Sequence, residues 1–470
     1  MRLLIFGTGL YYQKRKDAFS GDEIIAFVDN NSNKYGTFIG DIPVISPDEI
    51  YFKEYDYICL MAKGEFVEQM RGQLEELRIP YEKIVDFFEY KLLCEGARLE
   101  FYYGRKCTVK SAHKILLLTH ELSYSGAPLV LFYMGRILRK RGYSVTVLSL
   151  KDGELRRDFV DEGIVVGIQE EDNRRFDPFL YDWMQQFDLV WGNTVTYYYW
   201  IGPFSRSTTP FIWWLHESAE AYEWLGKERM PKETASNIHV YAVGSLALNM
   251  AQKYIPCVQT ESLLYGIPDF KNHLDIATDK KGGSKIVFAM IGTICSRKAQ
   301  DIFLKAIELL TEEERKKSEF WIIGSILNQE FYNKIRSYIE QISEVKILGP
   351  YNRDEIKQIY MKVDVVVCPS REDPMPVVAT EAMIVGKPSI VSEMTGTAAL
   401  ITDKENGFIV KTEDSQSLAE KMGWIIEHKE EIGNIGFRAR RLYEETFSME
   451  VFESNVCGLI GEILNIREDK

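Results

Sequence analysis

The sequence predicts an α/β protein, built from parallel sheets with helices packed on both faces. Three observations carry that prediction. Apolar, β-branched runs of strand length recur through the 470 residues, as in Lys114-Ile115-Leu116-Leu117-Leu118-Thr119 and Val363-Asp364-Val365-Val366-Val367-Cys368-Pro369. Each leads through a polar or glycine-containing turn into apolar residues at helical spacing, such as Leu129, Tyr133 and Ile137. The runs are apolar throughout instead of alternating, which suits a sheet buried between two helical layers.

Composition narrows the class. With 46% hydrophobic and 27% charged residues the chain can fill several cores, and its length suggests about three domains. A net charge of -13 argues against a general nucleic-acid binder. The seven cysteines (Cys59, Cys94, Cys107, Cys257, Cys295, Cys368 and Cys457) show no Cys-x-x-Cys spacing, which reads as a reducing compartment without a zinc site. The opening Met1-Arg2-Leu3-Leu4-Ile5-Phe6-Gly7 enters a strand directly, without a signal peptide's apolar core, and no apolar run approaches bilayer length. The expected location is the cytoplasm.

Residues 1–90 read as a small domain. Leu3 to Phe6 forms a strand, Gly7-Thr8-Gly9 a tight phosphate-type turn, and Ile24 to Val28 a second strand ending in Asp29. An acid about twenty residues past a glycine turn can hold a ribose, although Tyr12 stands where a dinucleotide fingerprint has its third glycine. Gly7, Gly9 and Asp29 are therefore candidate nucleotide contacts, and a structural or docking role is the competing reading. Tyr57 to Met61 and Glu65 to Leu77 supply a further strand and helix. Through Phe27-Val28-Asp29-Asn30 and Gly40-Asp41-Ile42-Pro43-Val44 the stretch resembles the small Rossmann-like domains fused to sugar-modifying enzymes. Residues 91–112 lack periodicity and read as a linker.

A second α/β unit spans residues 113–273. Glu121 to Pro128 is a turn opening a helix, and Arg139-Lys140-Arg141 closes that helix. This basic run complements the helix macrodipole, and the alternative is peripheral contact with anionic lipid at the inner face of a membrane. Phe187 to Thr194 and Phe211 to Ser218 are strands with polar carboxyl ends, the latter carrying His216 beside Glu217. Tyr197-Tyr198-Tyr199-Trp200 reads as core ahead of an acceptor platform. The polar stretch 274–284 is the expected interdomain linker.

The third unit, residues 285–440, holds two charged turns. Ile286 to Met290 is a strand followed by Gly292-Thr293 and the basic pair Arg297-Lys298, a combination of planar fork and compact charge that can neutralise a diphosphate. The run Val365 to Cys368 opens into Ser370-Arg371-Glu372-Asp373-Pro374-Met375-Pro376, stiffened by its prolines, before a helix from Val377. Loops at strand carboxyl ends and helix N-termini are where open α/β sheets bind anionic ligands. Asp373 and Glu381 suit a polyhydroxyl ligand, since an ionised carboxylate accepts from vicinal hydroxyls.

Asp373, seven intervening residues and Glu381-Ala382-Met383, in order with the segments above and with Asn406-Gly407-Phe408, resemble the retaining glycosyltransferases of the GT-B fold. The resemblance covers roughly residues 113–466. It implies two Rossmann-like lobes plus the added N-terminal domain, the lobe at 113–273 facing the acceptor and that at 285–440 the donor. It also implies that residues 441–470 cross back onto the earlier lobe. It assigns His216, Asp373, Arg297 and Lys298 to the reaction centre. Gly126, Thr293, Glu372, Pro374, Met375, Pro376, Val377 and Glu381 fall to the donor, with Glu381 on the ribose and Asp373 on the sugar hydroxyls. This chain departs from the pattern at Asp373, where a glutamate is commoner, at Thr293, which replaces an arginine, and at Ala299, which replaces a glycine. The implied activity moves a hexose-type sugar from a UDP-, GDP- or dTDP-sugar to a glycan or lipid-linked saccharide, in cell-envelope or capsular polysaccharide synthesis. No metal cofactor is expected, because two cations stand where a divalent ion would. The alternatives are a GT-B scaffold that binds nucleotide sugar without turnover, and an oxidoreductase or acyltransferase acting through the first domain.

Overall fold

The computed structural model describes residues 1–63, 65–95, 99–104, 113–169, 177–256, 258–271 and 285–466. The expected linker at 274–284 lies outside these residues, as do Cys107 and Cys257. The chain divides into two compact units. The first comprises Met1–Tyr124, Gly135–Gly192 and Arg206–Phe211, and the second Ser125–Met134, Asn193–Ser205 and Ile212–Lys470.

The first unit opens with β1 (Arg2–Phe6), β2 (Glu23–Val28), β3 (Phe38–Ile39), β4 (Ile42–Ile45), β5 (Tyr57–Leu60) and β6 (Ile84–Asp86), ordered β3-β4-β2-β1-β5-β6. All neighbours are parallel except β3 and β4. Leu4 and Phe6 of β1 join one apolar cluster while Leu3 and Ile5 join another. Both faces of the sheet are therefore covered, which is why β1 reads as continuously apolar. The unit continues with β7 (Leu99–Tyr102), β8 (Lys114–Thr119), β9 (Ser144–Ser149), β10 (Val165–Gln169) and β11 (Leu189–Gly192), ordered β11-β8-β9-β10-β7.

The segment expected to be a linker at 91–112 is corrected here. Its described part continues a helix, Phe87–Glu95, and then forms β7, antiparallel to β10. A four-residue edge strand is too short to show a period, and its pairing partner lies far away in sequence.

In the second unit, β12 (Phe211–Leu215, from Ile212 onward), β13 (Ile238–Ala242) and β14 (Thr260–Ser262) follow the order β14-β13-β12. A further sheet contains β15 (Ile286–Ile291), β16 (Ser318–Ile323), β17 (Val345–Leu348), β18 (Val365–Cys368), β19 (Ser389–Ser392) and β20 (Phe408–Val410), ordered β17-β16-β15-β18-β19-β20 and parallel throughout. Chain order reverses between β15 and β18, and the crevice beyond the carboxyl ends at such a switch point is where open sheets take ligands. The two charged turns follow those two strands.

The crossing-back helix is Met449–Leu464. Phe452 lies against Trp214 of β12 with ring centroids 6.0 Å apart, and Ile267 N donates to Phe447 O at 3.0 Å. Tyr197 and Trp200 are buried, as the core reading of the aromatic run expects. No helix among the described residues is long and apolar enough to cross a membrane.

Candidate active site

Two loops and two strand ends, all in the second unit, build the site. After β15 the chain turns at Gly292 and Thr293, whose carbonyl accepts from Gln300 Nε2 at 3.0 Å, and reaches Arg297 and Lys298. After β18 it reaches Asp373, which is 6% exposed. Lys298 Nζ donates to Asp373 Oδ2 at 2.6 Å, and Arg297 Nη1 stands 3.5 Å from the same oxygen while donating to Glu372 O at 3.1 Å. Burial alone would raise the Asp373 pKa, but the two cations outweigh it and hold the carboxyl below its ordinary value.

Each loop is fixed by groups outside it. Arg371 forks onto Asp301 at 3.0 and 2.7 Å and reaches Glu413 at 2.7 Å, while its amide donates to Arg297 O at 2.9 Å. The Asp373 turn is pinned to the loop after β19. Asp373 N donates to Met394 O, and Gly396 N to Asp373 O, both at 2.9 Å. Pro374, Met375 and Pro376 are buried and lead into the helix Val377–Ile384, in whose first turn Ala379 N donates to Pro376 O at 3.1 Å while Val377 and Val378 stand at the open N-terminus. Gly126 lies beside that opening, since a Cβ on it would meet Val377 Cγ2 at 3.5 Å.

Glu381 is buried at 2% exposure, with both oxygens engaged. Arg353 Nη1 pairs with Oε1 and Tyr360 Oη donates to Oε2, each at 2.7 Å. The carboxylate expected on the ribose is thus held in place by two side chains that motif reading does not supply. Glu372 Oε1 accepts from Ala219 N at 2.9 Å, just after His216 in the chain. His216 Nε2 lies 3.0 Å from Asn193 Oδ1, and its ring meets Trp214 edge-on at 4.3 Å.

Glu217 accepts from the amides of His216 and Val195, yet burial pushes its pKa up to about 7 from 4.5. The folded state then holds a proton that the unfolded chain has released, so stability falls as pH rises from about 4.5 through 7. Glu217→Gln should remove that slope. Above pH 8 we expect the variant to be more stable than wild type by roughly 2 kcal/mol, discounted for partial exposure. Urea melts from pH 5 to 9 test this, and parallel pH profiles for the two proteins would refute it.

Ala299 has φ 62° and ψ 42°, the left-handed conformation, and is fully buried. This is the physical reason for a glycine at that point of the pattern. Ala299→Gly trades backbone relief against a lost buried methyl and should stay within about 1 kcal/mol of wild type. Ala299→Val, a β-branched residue in that conformation, should cost about 3 kcal/mol in the same melts.

In the first unit Asp29 spends its carboxylate internally. It accepts from Lys34 Nζ at 2.7 Å, from Asn31 N at 3.0 Å and from the Thr8 hydroxyl. Gly9 precedes a helix of only four residues, Leu10–Gln13, and Tyr12 packs against Phe27 in the core. The three candidates Gly7, Gly9 and Asp29 come together, but the phosphate-type turn lacks the long helix that gives such turns their field.

Sequence reading missed Arg353, Tyr360 and Asn193 as site residues. Asn193 left a signal, a polar residue ending an apolar strand. Arg353 and Tyr360 left none, because a helix-face arginine and a core tyrosine are ordinary.

Residues 274–442 match the glycosyl transferases group 1 family, residues 111–236 the glycosyl-transferase family 4, and residues 1–85 the C2185-like N-terminal family. The chain has the GT-B fold. Among solved structures this GT-B chain resembles Anabaena Alr3699/HepE in complex with UDP and glucose, with a TM-score of 0.62, 18% identity, and 74% of this chain and 99% of that one covered. Among curated proteins it is similar to the uncharacterized glycosyltransferase MJ1607 of Methanocaldococcus jannaschii, 28% identical over 158 residues, covering 32% of this chain and 37% of that one. It is also similar to the Escherichia coli UDP-Gal:alpha-D-GlcNAc-diphosphoundecaprenol alpha-1,3-galactosyltransferase, 26% identical over 149 residues, covering 31% and 38%. The chain thus spans well under half the length of these curated relatives.

Proposed function

We propose that the chain is a retaining, metal-independent glycosyltransferase that moves a hexose-type sugar from a nucleotide sugar to a glycan or lipid-linked saccharide. The observation that carries the reading is the Arg297–Lys298 pair on Asp373 at the switch point between β15 and β18. In the reaction the bond from the anomeric carbon to the diphosphate oxygen breaks and one to the acceptor oxygen forms. The acceptor proton ends on the released diphosphate. Arg297 and Lys298 oppose the charge that builds on that leaving group, the task a divalent ion performs elsewhere. Asp373 and Glu372 take sugar hydroxyls, Glu381 the ribose, and His216 the transferred sugar or the donor phosphate. Gly126, Thr293 and the amides opening the helix at Val377 line the donor. The same reading includes domain divisions at 1–90, 113–273, 274–284, 285–440 and 441–470, a cytoplasmic location, and cell-envelope or capsular polysaccharide synthesis. The UDP-bound neighbour and the diphosphoundecaprenol-linked relative support the donor class and the acceptor class respectively.

A thermal-shift panel of UDP-, GDP- and dTDP-sugars on wild type and Glu381→Gln tests the reading. One donor class at about 100 times its Kd should stabilise wild type by roughly 2.7 kcal/mol and the variant less. Transfer should persist in excess chelator, and the product anomer should match the donor by NMR. Absence of any shift would favour a scaffold, while loss of transfer with chelator would sink the metal-independent part.

A further inference from the structure

We propose that Asn193 is a positioning residue that fixes the His216 ring to the glycine turn at Gly126 and Ala127. The proposal rests on the transferase reading above. Asn193 directly follows Gly192, the last residue of β11, and is fully buried. Its Nδ2 donates to Ala127 O at 2.8 Å, and its Oδ1 lies 3.0 Å from His216 Nε2. The first contact decides the second. A carbonyl only accepts, so the amide nitrogen must face Ala127 and the amide oxygen must face His216. His216 Nε2 therefore carries hydrogen in the neutral as well as the charged ring.

One side chain thus ties together two parts of the site that are far apart in sequence. The turn stands beside the opening of the helix Val377–Ile384, as the Gly126 approach to Val377 shows. The histidine begins the segment that continues through Glu217 to Ala219, whose amide donates to Glu372. A shift of either would move a donor-facing group relative to the other, and misplacement on the order of 1 Å costs roughly 100-fold in rate. A buried amide with both functions committed holds one geometry, which a solvated asparagine would not.

Two variants separate this role from general structural support, because they act on His216 with opposite sign. Asn193→Asp keeps an acceptor on Nε2 and adds negative charge, which favours the protonated ring. Asn193→Leu removes the acceptor in a buried setting, which disfavours it. Glu217 and Glu372, the charged groups bonded to the segment that carries His216, are unchanged in both. The protein has six histidines, and loss of one resonance in His216→Gln identifies the ring in spectra of nitrogen-15 histidine-labelled full chain.

We expect the His216 titration to move up in Asn193→Asp and down in Asn193→Leu. The limb of the kcat profile that His216→Gln abolishes should move with it, and kcat in Asn193→Leu should fall between tenfold and 100-fold while the donor KM changes less than about threefold. A titration that stays put in both variants overturns the proposal, and so does one that moves while the rate profile does not. If Asn193→Asp fails to fold, the Leu variant alone decides by the direction of its shift. Wild type without transfer from any donor overturns the transferase reading, and the positioning role falls with it. That outcome is read on unmodified protein and is distinct from failure of the Asn193 contact.

Discussion

Lys298→Ala should lower the transfer rate by roughly 100-fold or more and cost about 3 kcal/mol of stability. The first effect follows from removing one of two cations opposite the leaving diphosphate, where a single preorganised electrostatic contact is worth about 100- to 1,000-fold. The second follows from the partner left behind. Asp373 is 6% exposed and its closest cation is Lys298 at 2.6 Å, with Arg297 more distant at 3.5 Å. Breaking a buried pair from one side typically costs about 3 to 5 kcal/mol, because the remaining charge has lost its compensation. Arg297 keeps the cost near the lower end. The Lys298→Met, Asp373→Asn double variant should recover most of the stability and none of the rate. Urea melts and single-turnover kinetics measure the two effects separately, and a Lys298→Ala midpoint equal to wild type would contradict the buried-pair argument.

Gly396→Ala should be nearly as damaging, though it removes no functional group. A Cβ at this position would sit 1.7 Å from Pro374 O and 2.9 Å from its carbonyl carbon. Backbone cannot yield as a flexible side chain can. The substitution must separate the Thr395–Gly396 segment of the loop after β19 from the Asp373 turn and break the Gly396 N to Asp373 O bond. The expected cost is about 3 kcal/mol, at the upper end of overpacking in a well-packed core. The donor KM should rise along with a fall in kcat, because Pro374 to Pro376 shift with the turn. A variant within about 0.5 kcal/mol of wild type, with unchanged kinetics, would show that the two loops are not mutually braced.

These two residues differ in how much of their role was legible in the sequence. Lys298 announced itself by type and place, a cation at a strand-to-helix turn in register with the Asp373 loop. Gly396 did not, because its importance lies in what passes above it, and close approach between distant backbones leaves no local pattern. The same division runs through the fold. The buried strands β15 and β18 were readable because continuous apolar runs fix a sheet covered on both faces. The short antiparallel β7 was not, since its pairing with β10 is non-local and its four residues carry too little periodicity. Glu381 was found by spacing, but its partners Arg353 and Tyr360 were not, because ion pairs between a helix face and a core position depend on packing. Ala299 stands between these cases. The departure from glycine was visible at once, and its physical meaning appeared only with the backbone angle.

The contact between Phe452 and Trp214 bears on the order in which the protein acquires its shape during synthesis. Trp214 is fully buried, and the helix Met449–Leu464 supplies part of what covers it. While the chain is emerging vectorially from a ribosome, β12 leaves the tunnel long before that helix exists. The indole must then remain partly uncovered, or be shielded by a chaperone, until that helix arrives. Maturation of the segment bearing His216 thus waits on a helix synthesised much later than β12, and the emission of Trp214 would report when it is complete.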